Sequence, residues 1–377
     1  MIKKRQGVKM NYEKDKYWLW MSHINEMWSG KARKIIEYID SPQQLYEMKQ
    51  ECIEKLGIFT KKDIYNIMSA KNINLEEVWE KMCEKEIRFT HSTAEDYPKR
   101  LLGYRDRPLW LFYRGGLPKD DEKLVGVVGA RNCSHYGISM AEHIGMQLGK
   151  YSVGVVSGMA RGIDAASHKG ALNVGANSYA VLGCGVDVCY PRENIELYME
   201  LVKNGGVISE YIPGTRPLAW QFPERNRIIS MFSDAIAVIE AKENSGSLIT
   251  TDYALQYGKE IFAVPGRVGD ALSRGCNELI RSGASILLEG DDILYSIGMF
   301  DMLESNEEKT IEENNCKIVL EKENEVVYSC LGLLPKNVED IIKITGKSSS
   351  EIINALTQLI IMGLVIEPVR NYYAIKK

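Results

Sequence analysis

The chain has 377 residues, enough for two or three domains, and 45% hydrophobic with 26% charged residues is usual for a soluble globular protein. No apolar run is long enough to span a membrane, and the basic first ten residues lack the apolar core of a signal peptide. We therefore expect a cytoplasmic protein. The net charge of −4 means that any site for a polyanion must be a local cluster of cations.

The eight cysteines contain no Cys-x-x-Cys pair, which argues against a disulfide frame and against a zinc site. Only Cys133 and His135 lie close together as candidate metal ligands, and two ligands are too few. We expect no metal and no cofactor.

Residues 11–85 are predicted to form an N-terminal helical domain, with apolar residues at helical spacing in five short segments. One of these segments is residues 45–56. Residues 24–31 are similar to the turn of a helix-hairpin-helix, or SAM-like, module, but only Gly30 of its glycines is present. We favour a packing or protein-contact role for this domain.

Residues 86–297 are predicted to form an extended Rossmann-like α/β domain. It begins with two strand candidates, residues 87–89 and 109–115, which we expect beside the first strand of the core. Short apolar runs then alternate with helical patterns, as in a parallel sheet covered on both faces. The predicted core strands are 124–129, 153–157, 178–182, 206–209, 235–240, 260–264 and 285–288.

Arginines are concentrated in the loops that follow these strands: Arg131, Arg161, Arg192, Arg216, Arg225, Arg227 and Arg267. Guanidinium groups suit forked contacts to phosphate. An equally weighted alternative for each arginine is pairing with a local acid such as Glu193 or Glu224.

The run Ser245-Gly246-Ser247 opens a helix after a strand, so free backbone N–H groups and two hydroxyls form a phosphate cradle there. A serine N-cap without any ligand is the alternative. Residues 183–185 and 222–227 are predicted to reach the same sheet edge, which favours the binding interpretation.

Three enzyme and cofactor classes are disfavoured by their missing motifs. The turn at Gly129 is not Gly-x-Gly-x-x-Gly, which argues against NAD binding. The chain contains no Gly-Lys-Ser/Thr phosphate loop for ATP hydrolysis and no hydrolase Ser–His–acid set. His168 is expected to orient a loop or cap a strand end.

The ordered motif set resembles the DNA-processing protein A family (DprA, also called Smf). The resemblance covers the chain from about Tyr12 onwards, with one departure at Ala130, where the family usually has serine. It is carried by residues 97–98, 109–115, 129–131, 157–164 with His168, 185–194, 222–230, 245–247, 264–266 and 275–280.

The resemblance implies a homodimer that binds single-stranded DNA without catalysis. It also implies protection of incoming DNA, displacement of single-strand-binding protein and loading of RecA during natural transformation. Phosphates would meet Arg131, Arg192 and the turns at residues 157–158 and 245–247, and bases would meet Phe222 and Asn226. The full implied DNA-binding set is Arg131, Ser157, Gly158, Met159, Arg161, Gly162, Arg192, Phe222, Arg225, Asn226, Arg227, Ser245, Gly246, Ser247 and Thr250, and the implied dimer contact is Asn277, Ile286 and Leu287.

An acidic linker is predicted at residues 298–317, followed by a winged-helix domain at residues 318–377. The second helix of that domain, residues 349–362, carries a single charge, on Glu351, so we expect it to contact protein rather than DNA. Two other functions stay open. One is a nucleotide-binding or nucleotide-cleaving enzyme of a related Rossmann-like fold, although residues 264–269 lack the Pro-Gly-Gly-x-Gly-Thr loop of such enzymes. The other is a protein scaffold without a nucleic-acid site.

Overall fold

A computed structural model describes residues 12–27, 29–299, 322–332, 335–369 and 371–375. The predicted acidic linker lies outside this part of the chain, except for residues 298–299. Among the described helices, none has both the length and the apolar character needed to cross a bilayer.

The N-terminal segment forms six short helices around a shared apolar core that contains Trp20, Leu45 and Ile67. The predicted helix at residues 45–56 is corrected to two helices, because the backbone at Met48 is extended (ψ 139°). The helices are Tyr12–Ser22 (α1), Ser29–Ile36 (α2), Pro42–Glu47 (α3), Gln50–Lys55 (α4), Lys61–Ala70 (α5) and Leu75–Glu84 (α6).

A nine-stranded sheet forms the centre of the protein, in the order β1-β2-β6-β5-β4-β3-β7-β8-β9. All seven predicted core strands are present, and they pair in parallel from β6 to β9. The strands are Arg88–His91 (β1), Trp110–Gly115 (β2), Leu124–Val128 (β3), Gly154–Ser157 (β4), Ser178–Val181 (β5), Gly205–Ser209 (β6), Ala235–Val238 (β7), Glu260–Ala263 (β8) and Ser285–Ile286 (β9).

The two strands of the connector do not lie beside the first core strand, as the sequence had led us to expect. Instead, β2 pairs antiparallel with β6, and β1 pairs with β2. The reason is that β3 already has β4 and β7 as neighbours, so it lies inside the sheet. The parallel strands end at β6 on one side and at β9 on the other, and β2 adds to the sheet at β6.

Helices cover both faces of the sheet and pack into separate apolar clusters on its two sides. From β3 the chain moves outward through β4, β5 and β6, and it then returns to β7 on the other side of β3. At such a switch point, the carboxyl ends of the strands border a crevice that ligands often occupy. The helices are His135–Lys150 (α7), Ile163–Asn173 (α8), Ile195–Lys203 (α9), Gln221–Phe232 (α10), Gly246–Gln256 (α11), Arg274–Arg281 (α12) and Gly290–Ser296 (α13).

The C-terminal segment has its own apolar core, which contains Val327, Ile341 and Leu356. Three helices pack beside a small antiparallel sheet in the order β10-β12-β11. The winged-helix assignment of this segment stays a prediction. Its elements are Lys322–Cys330 (α14), Lys336–Asn337 (β10), Val338–Thr345 (α15), Ser349–Ile361 (α16), Val365–Val369 (β11) and Tyr372–Ile375 (β12).

Candidate functional site

A shallow pocket lies at the carboxyl ends of β3, β4 and β5, the edge where the sequence predicts a ligand. Several of the predicted residues meet in it, although they come from distant parts of the chain. Its lining is Arg131, Gly158, Ala160, Arg161, Tyr190, Pro191, Phe222 and Arg225.

Two strand-to-helix turns cross directly beneath this pocket. The N–H of Ile163 donates to the carbonyl of Ala130 at 3.3 Å, and the N–H of Ala130 donates to the carbonyl of Glu240 at 2.7 Å. Gly162 has φ +73°, and a Cβ there would lie 2.4 Å from the carbonyl oxygen of Ala130. Glycine is therefore required at position 162, and its role is to let the two turns touch. Because Ala130 acts through its backbone, the missing serine hydroxyl leaves this crossing intact.

A cation and two aromatic rings form a stack at the mouth of the pocket. The guanidinium carbon of Arg131 lies 5.1 Å from the centroid of the Phe222 ring. The Phe222 ring stacks on Tyr190, with centroids 5.6 Å apart and planes inclined by 29°. Tyr190 is 42% exposed, whereas Phe222 is half-buried. An exposed ring beside an exposed guanidinium offers a face for a base and a charge for a phosphate.

Three exposed arginines near the pocket, Arg131, Arg161 and Arg192, differ in their partners. Arg161 forms a forked pair with Glu193, with Nη2 to Oε2 at 2.9 Å. This hydrogen bond raises the pKa of Arg161 and lowers the pKa of Glu193. Arg131 and Arg192 are exposed and form no ion pair with any described residue. Near the pocket, the open positive charge therefore comes from Arg131 and Arg192.

Arg225 is corrected from a phosphate ligand to an internal support. Its side chain is 5% exposed, and its Nη1 donates to the carbonyls of Gly158 (3.0 Å) and Val181. Burial lowers the pKa of Arg225 to about 10, and the nearby Asp164 carboxylate opposes that shift. The group remains charged at neutral pH and forms the floor of the pocket.

Arg227 is also corrected, because it lies in the interior rather than on the ligand edge. Two positions beyond Arg225 in helix α10, it pairs with the largely buried carboxylate of Glu210. Burial works against its charge, but Glu210 and Asp106 together raise the pKa of Arg227. The predicted loop at residues 222–227 is in fact the start of α10, a helix that is buried at every position from 227 to 232, and both arginines lie inside the protein.

The turn at residues 157–160 is not an open phosphate cradle. The buried carboxylate of Asp164 accepts hydrogen bonds from the N–H groups of Gly158 (3.2 Å) and Ala160 (3.3 Å). Asp164 therefore occupies the position that a phosphate oxygen would take. Gly158 itself is needed because a Cβ would lie 2.4 Å from the guanidinium of Arg225.

The side chains of Ser157, Met159 and Thr250 are likewise excluded from direct ligand contact. Ser157 ends β4 and its Oγ donates to the carbonyl of Val127 at 2.6 Å, inside the sheet. Met159 packs into the apolar cluster between the sheet and α9. Thr250 lies one turn inside α11, where it is 1% exposed and faces α10.

The predicted cradle at residues 245–247 lies at the N-terminus of α11. Ser245 caps the helix, and its Oγ lies 2.7 Å from the Oγ of Ser247. The side-chain amide of Asn226 donates to the carbonyl of Gly246 at 3.2 Å. Gly246 is exposed with open space around it. The cradle is partly satisfied by its own hydroxyls, and Gly246 is its open position.

Glu240 closes the turn after β3, which is the phosphate position of dinucleotide-binding folds. Its buried carboxylate accepts from the backbone N–H of Ser134 at 2.8 Å and from the Ser134 hydroxyl. A Cβ at Gly137 would lie 2.4 Å from this carboxylate. A carboxylate at this helix N-terminus repels a nucleotide phosphate, which adds a structural reason to the motif argument against NAD.

His168 is buried, and its Nδ1 lies 2.7 Å from the Oγ of Ser178 at the beginning of β5. Burial lowers the pKa of His168 to about 3, so the ring is neutral at physiological pH. It orients the start of a strand and does not face the pocket.

The predicted dimer residues separate into two groups. Leu287 is fully buried in the core, and the side-chain amide of Asn277 bonds both the N–H (3.1 Å) and the carbonyl (3.0 Å) of Gly266. Leu287 is therefore corrected to an internal role, whereas Asn277 is half-buried and its place in a dimer contact stays a prediction. Ile286, on the edge strand β9, is 51% exposed and remains a candidate contact.

A wider cavity, about 420 Å³, lies between the N-terminal helices and the connector, away from this edge. Arg33 and Arg107 line it together with Glu37 and Asp40. Charges of both signs offset each other there, so we regard the strand edge as the better candidate for an anionic ligand.

A family model described as DNA recombination-mediator protein A matches residues 88–298, more than half of the chain. The chain belongs to this family. Among curated relatives of the family, the DNA processing protein DprA of Streptococcus pneumoniae is 43% identical over 198 residues, which cover 52% of this chain and 70% of the relative. Protein Smf of Synechocystis is 28% identical over an alignment of 388 positions, gaps included, which covers 94% of this chain and 98% of the relative. The resemblance found in the sequence is confirmed.

Two solved structures of family members have the same fold. One is the X-ray structure of DprA from Streptococcus pneumoniae, with 33% identity and a TM-score of 0.61 over 76% of this chain and 98% of the other. The second is DNA processing protein A from Helicobacter pylori, with 27% identity and a TM-score of 0.50 over 56% and 95%. The Helicobacter pylori protein is described as having a unique single-stranded DNA binding mode.

Two residues at this edge were absent from the predicted site. Tyr190 lies within residues 185–194, one of the motifs that carry the family resemblance, and its position before Pro191 and Arg192 was a signal that it belongs to the site. Trp220 precedes Phe222 by two residues and is 61% exposed. A large aromatic residue in a strand-to-helix loop was a signal for it, but only the structure reveals the exposure.

The buried position of Arg225 gives a stability prediction. Arg225→Met should lower the free energy of unfolding by about 3–5 kcal/mol, because it leaves the carbonyls of Gly158 and Val181 without their donor and removes the positive charge near the buried Asp164. Urea denaturation of the full chain measures this change. The matched control is Arg131→Met at an exposed position, which should change stability by less than about 0.5 kcal/mol. Equal stability of the two variants would contradict the assignment of Arg225 as an internal support.

Proposed function

We propose that this chain binds single-stranded DNA along the carboxyl edge of its sheet, without reading base sequence and without catalysis. The observation that carries the proposal is the Arg131–Phe222–Tyr190 stack, which puts an open cation and aromatic faces at one place. Aromatic faces accept any unstacked base, whereas arginines hold the backbone.

A strand suits this edge better than a small nucleotide does. The contact groups are spread from Arg192 beside the pocket to the exposed Gly246 at the N-terminus of α11. The turns that would enclose one nucleotide phosphate contain the protein's own carboxylates, Glu240 and Asp164. An extended polyanion touching several exposed groups fits such an arrangement.

The relatives support the same proposal. The family model is described as a recombination mediator, and the Helicobacter pylori relative is described as binding single-stranded DNA. We extend this to a homodimer in the cytoplasm that protects incoming DNA, displaces single-strand-binding protein and loads RecA during natural transformation. The mildly acidic chain as a whole fits a binder whose contacts are confined to one edge.

We do not favour the nucleotide-cleaving enzyme. The titratable groups next to the pocket are committed elsewhere: Asp164 to backbone N–H groups and His168 to Ser178. The loop at residues 264–266 is fastened by Asn277. Neither arrangement supplies a carboxylate or imidazole aimed at a ligand.

The open charges give the first binding prediction. Arg131→Ala and Arg192→Ala should each weaken binding of oligo(dT), and each should reduce the slope of log affinity against log salt by about 0.7. Fluorescence anisotropy titrations over a range of salt concentrations measure both quantities. Arg281→Ala is the control, because this exposed arginine ends α12 and is paired with Glu278. An unchanged affinity and slope in the Arg131→Ala/Arg192→Ala double variant would contradict the proposal.

The aromatic stack gives the second binding prediction. Phe222→Ala should weaken oligo(dT) binding by about 1–3 kcal/mol, because a base loses its stacking partner. Phe222→Leu is the matched control, because it keeps apolar volume without a ring and should weaken binding to a similar degree. Thermal melting distinguishes base stacking from a purely structural role of Phe222. If the role is structural, the alanine variant melts at a lower temperature, but each folded molecule keeps its DNA affinity.

A further inference from the structure

The loop between β6 and α10, residues 210–220, is firmly fastened to the carboxyl edge of the sheet. The N–H of Gly214 donates to the carboxylate of Asp187 at 2.6 Å, and the N–H of Gly185 donates to the carbonyl of Thr215 at 3.0 Å. Close to the helix, the N–H of Leu218 donates to the side-chain oxygen of the buried Gln221 at 2.6 Å. The loop therefore holds its last residues in a defined position.

Trp220, the last residue of this loop, is much more exposed than three other tryptophans of the chain. Trp18, Trp20 and Trp110 are buried, whereas 61% of Trp220 is exposed. The ring of Tyr211 meets it edge-on, with centroids 6.2 Å apart and planes inclined by 81°. An edge-on neighbour leaves a face of the indole open, and the fastened loop limits the entropy lost when a ligand binds that face.

The neighbours of Trp220 indicate which ligand the indole would take. Phe222 in the DNA site is two residues away, so their Cα atoms are separated by at most about 7 Å. The two rings contact different aromatic partners, Tyr211 and Tyr190. Arg216 lies on the same loop, is exposed, and forms no ion pair within the described part of the chain. A ring, a free cation and the continuing DNA edge together favour nucleic acid over an apolar partner.

We propose that Trp220 is a second base-stacking position, which holds a different base of the same strand from the one at the Phe222–Tyr190 stack. Arg216 contacts a phosphate of that strand. The proposal rests on the proposed function, since it assumes that single-stranded DNA follows this edge. The ligand class is an unstacked nucleobase of any type, because stacking on an indole does not depend on the base edge.

The test compares Trp220→Ala, Trp220→Phe and the control Tyr65→Ala in the full chain. Tyr65 is 71% exposed on α5 in the N-terminal segment. Each protein is titrated with oligo(dT) and with an oligonucleotide of the same length that has abasic positions throughout. We expect Trp220→Ala to weaken oligo(dT) binding about fivefold or more, Trp220→Phe to keep most of the affinity, and Tyr65→Ala to match the parent.

The abasic oligonucleotide separates stacking from other effects. The difference between the parent and Trp220→Ala should disappear on it, because no base is left to stack, while the salt dependence stays unchanged. An equal loss on both oligonucleotides would overturn the stacking role, as would unchanged oligo(dT) affinity in Trp220→Ala. A change of oligomeric state without a change in DNA affinity would also overturn it and assign Trp220 to a protein contact. If the parent itself fails to bind either oligonucleotide, the proposed function fails and this inference fails with it.

Discussion

The ligand edge depends on the hydrogen bonds of two buried side chains, Arg225 and Asp164. Arg225 extends from α10 beneath the pocket and bonds the carbonyls at the ends of β4 and β5. Asp164, at the beginning of α8, gathers the N–H groups of the turn between β4 and α8. Together they hold the turn after β4, the end of β5 and the start of α10 in place, although neither side chain reaches the surface. The hydrogen bonds that Arg225 and Asp164 make to the backbone offset part of the cost of their desolvation.

At the other turns along this edge, polar side chains of the protein also bond the backbone at the start of a helix. Glu240 covers the N-terminus of α7, and Ser245 caps α11 with a neighbouring hydroxyl beside it. In a nucleotide-binding Rossmann fold, such positions receive phosphate oxygens. Here, the protein's own oxygens already occupy them. Anion attraction must therefore come from exposed guanidiniums such as those of Arg131, Arg192 and Arg216, and this arrangement suits a long, mobile polyanion.

Much of the fold could be predicted from the sequence, because buried parallel strands read as short β-branched runs between helical patterns. The connector was the exception. Which edge receives β2 depends on the strand order, and a single sequence does not encode that order locally. The division of residues 45–56 into α3 and α4 was also missed, since the apolar spacing continues across the extended residue Met48.

The candidate site was less predictable, for a physical reason. Arg225 and Arg227 look like surface cations in the sequence, but each has a partner from another part of the chain. Arg225 bonds the backbone carbonyls of Gly158 and Val181, and Arg227 pairs with Glu210. Such a partner appears only when the chain is folded. The predicted DNA contacts of the Ser157, Met159 and Thr250 side chains were wrong because these side chains are buried. Which residues of a strand or helix face the core depends on its register in the folded chain. Arg131, Arg192 and Phe222 lie at the mouth of the pocket or in an exposed loop, and their contacts with DNA stay predictions.

Photocrosslinking with oligo(dT) that contains 5-iodouracil tests the location of the DNA strand most directly. Aromatic side chains next to an iodinated base form the adduct, and mass spectrometry of the digested complex identifies the peptide. We expect adducts in the peptides that contain Tyr190, Trp220 and Phe222. Adducts confined to the N-terminal helices or to residues 322–375 would contradict the claim that this sheet edge is the DNA site.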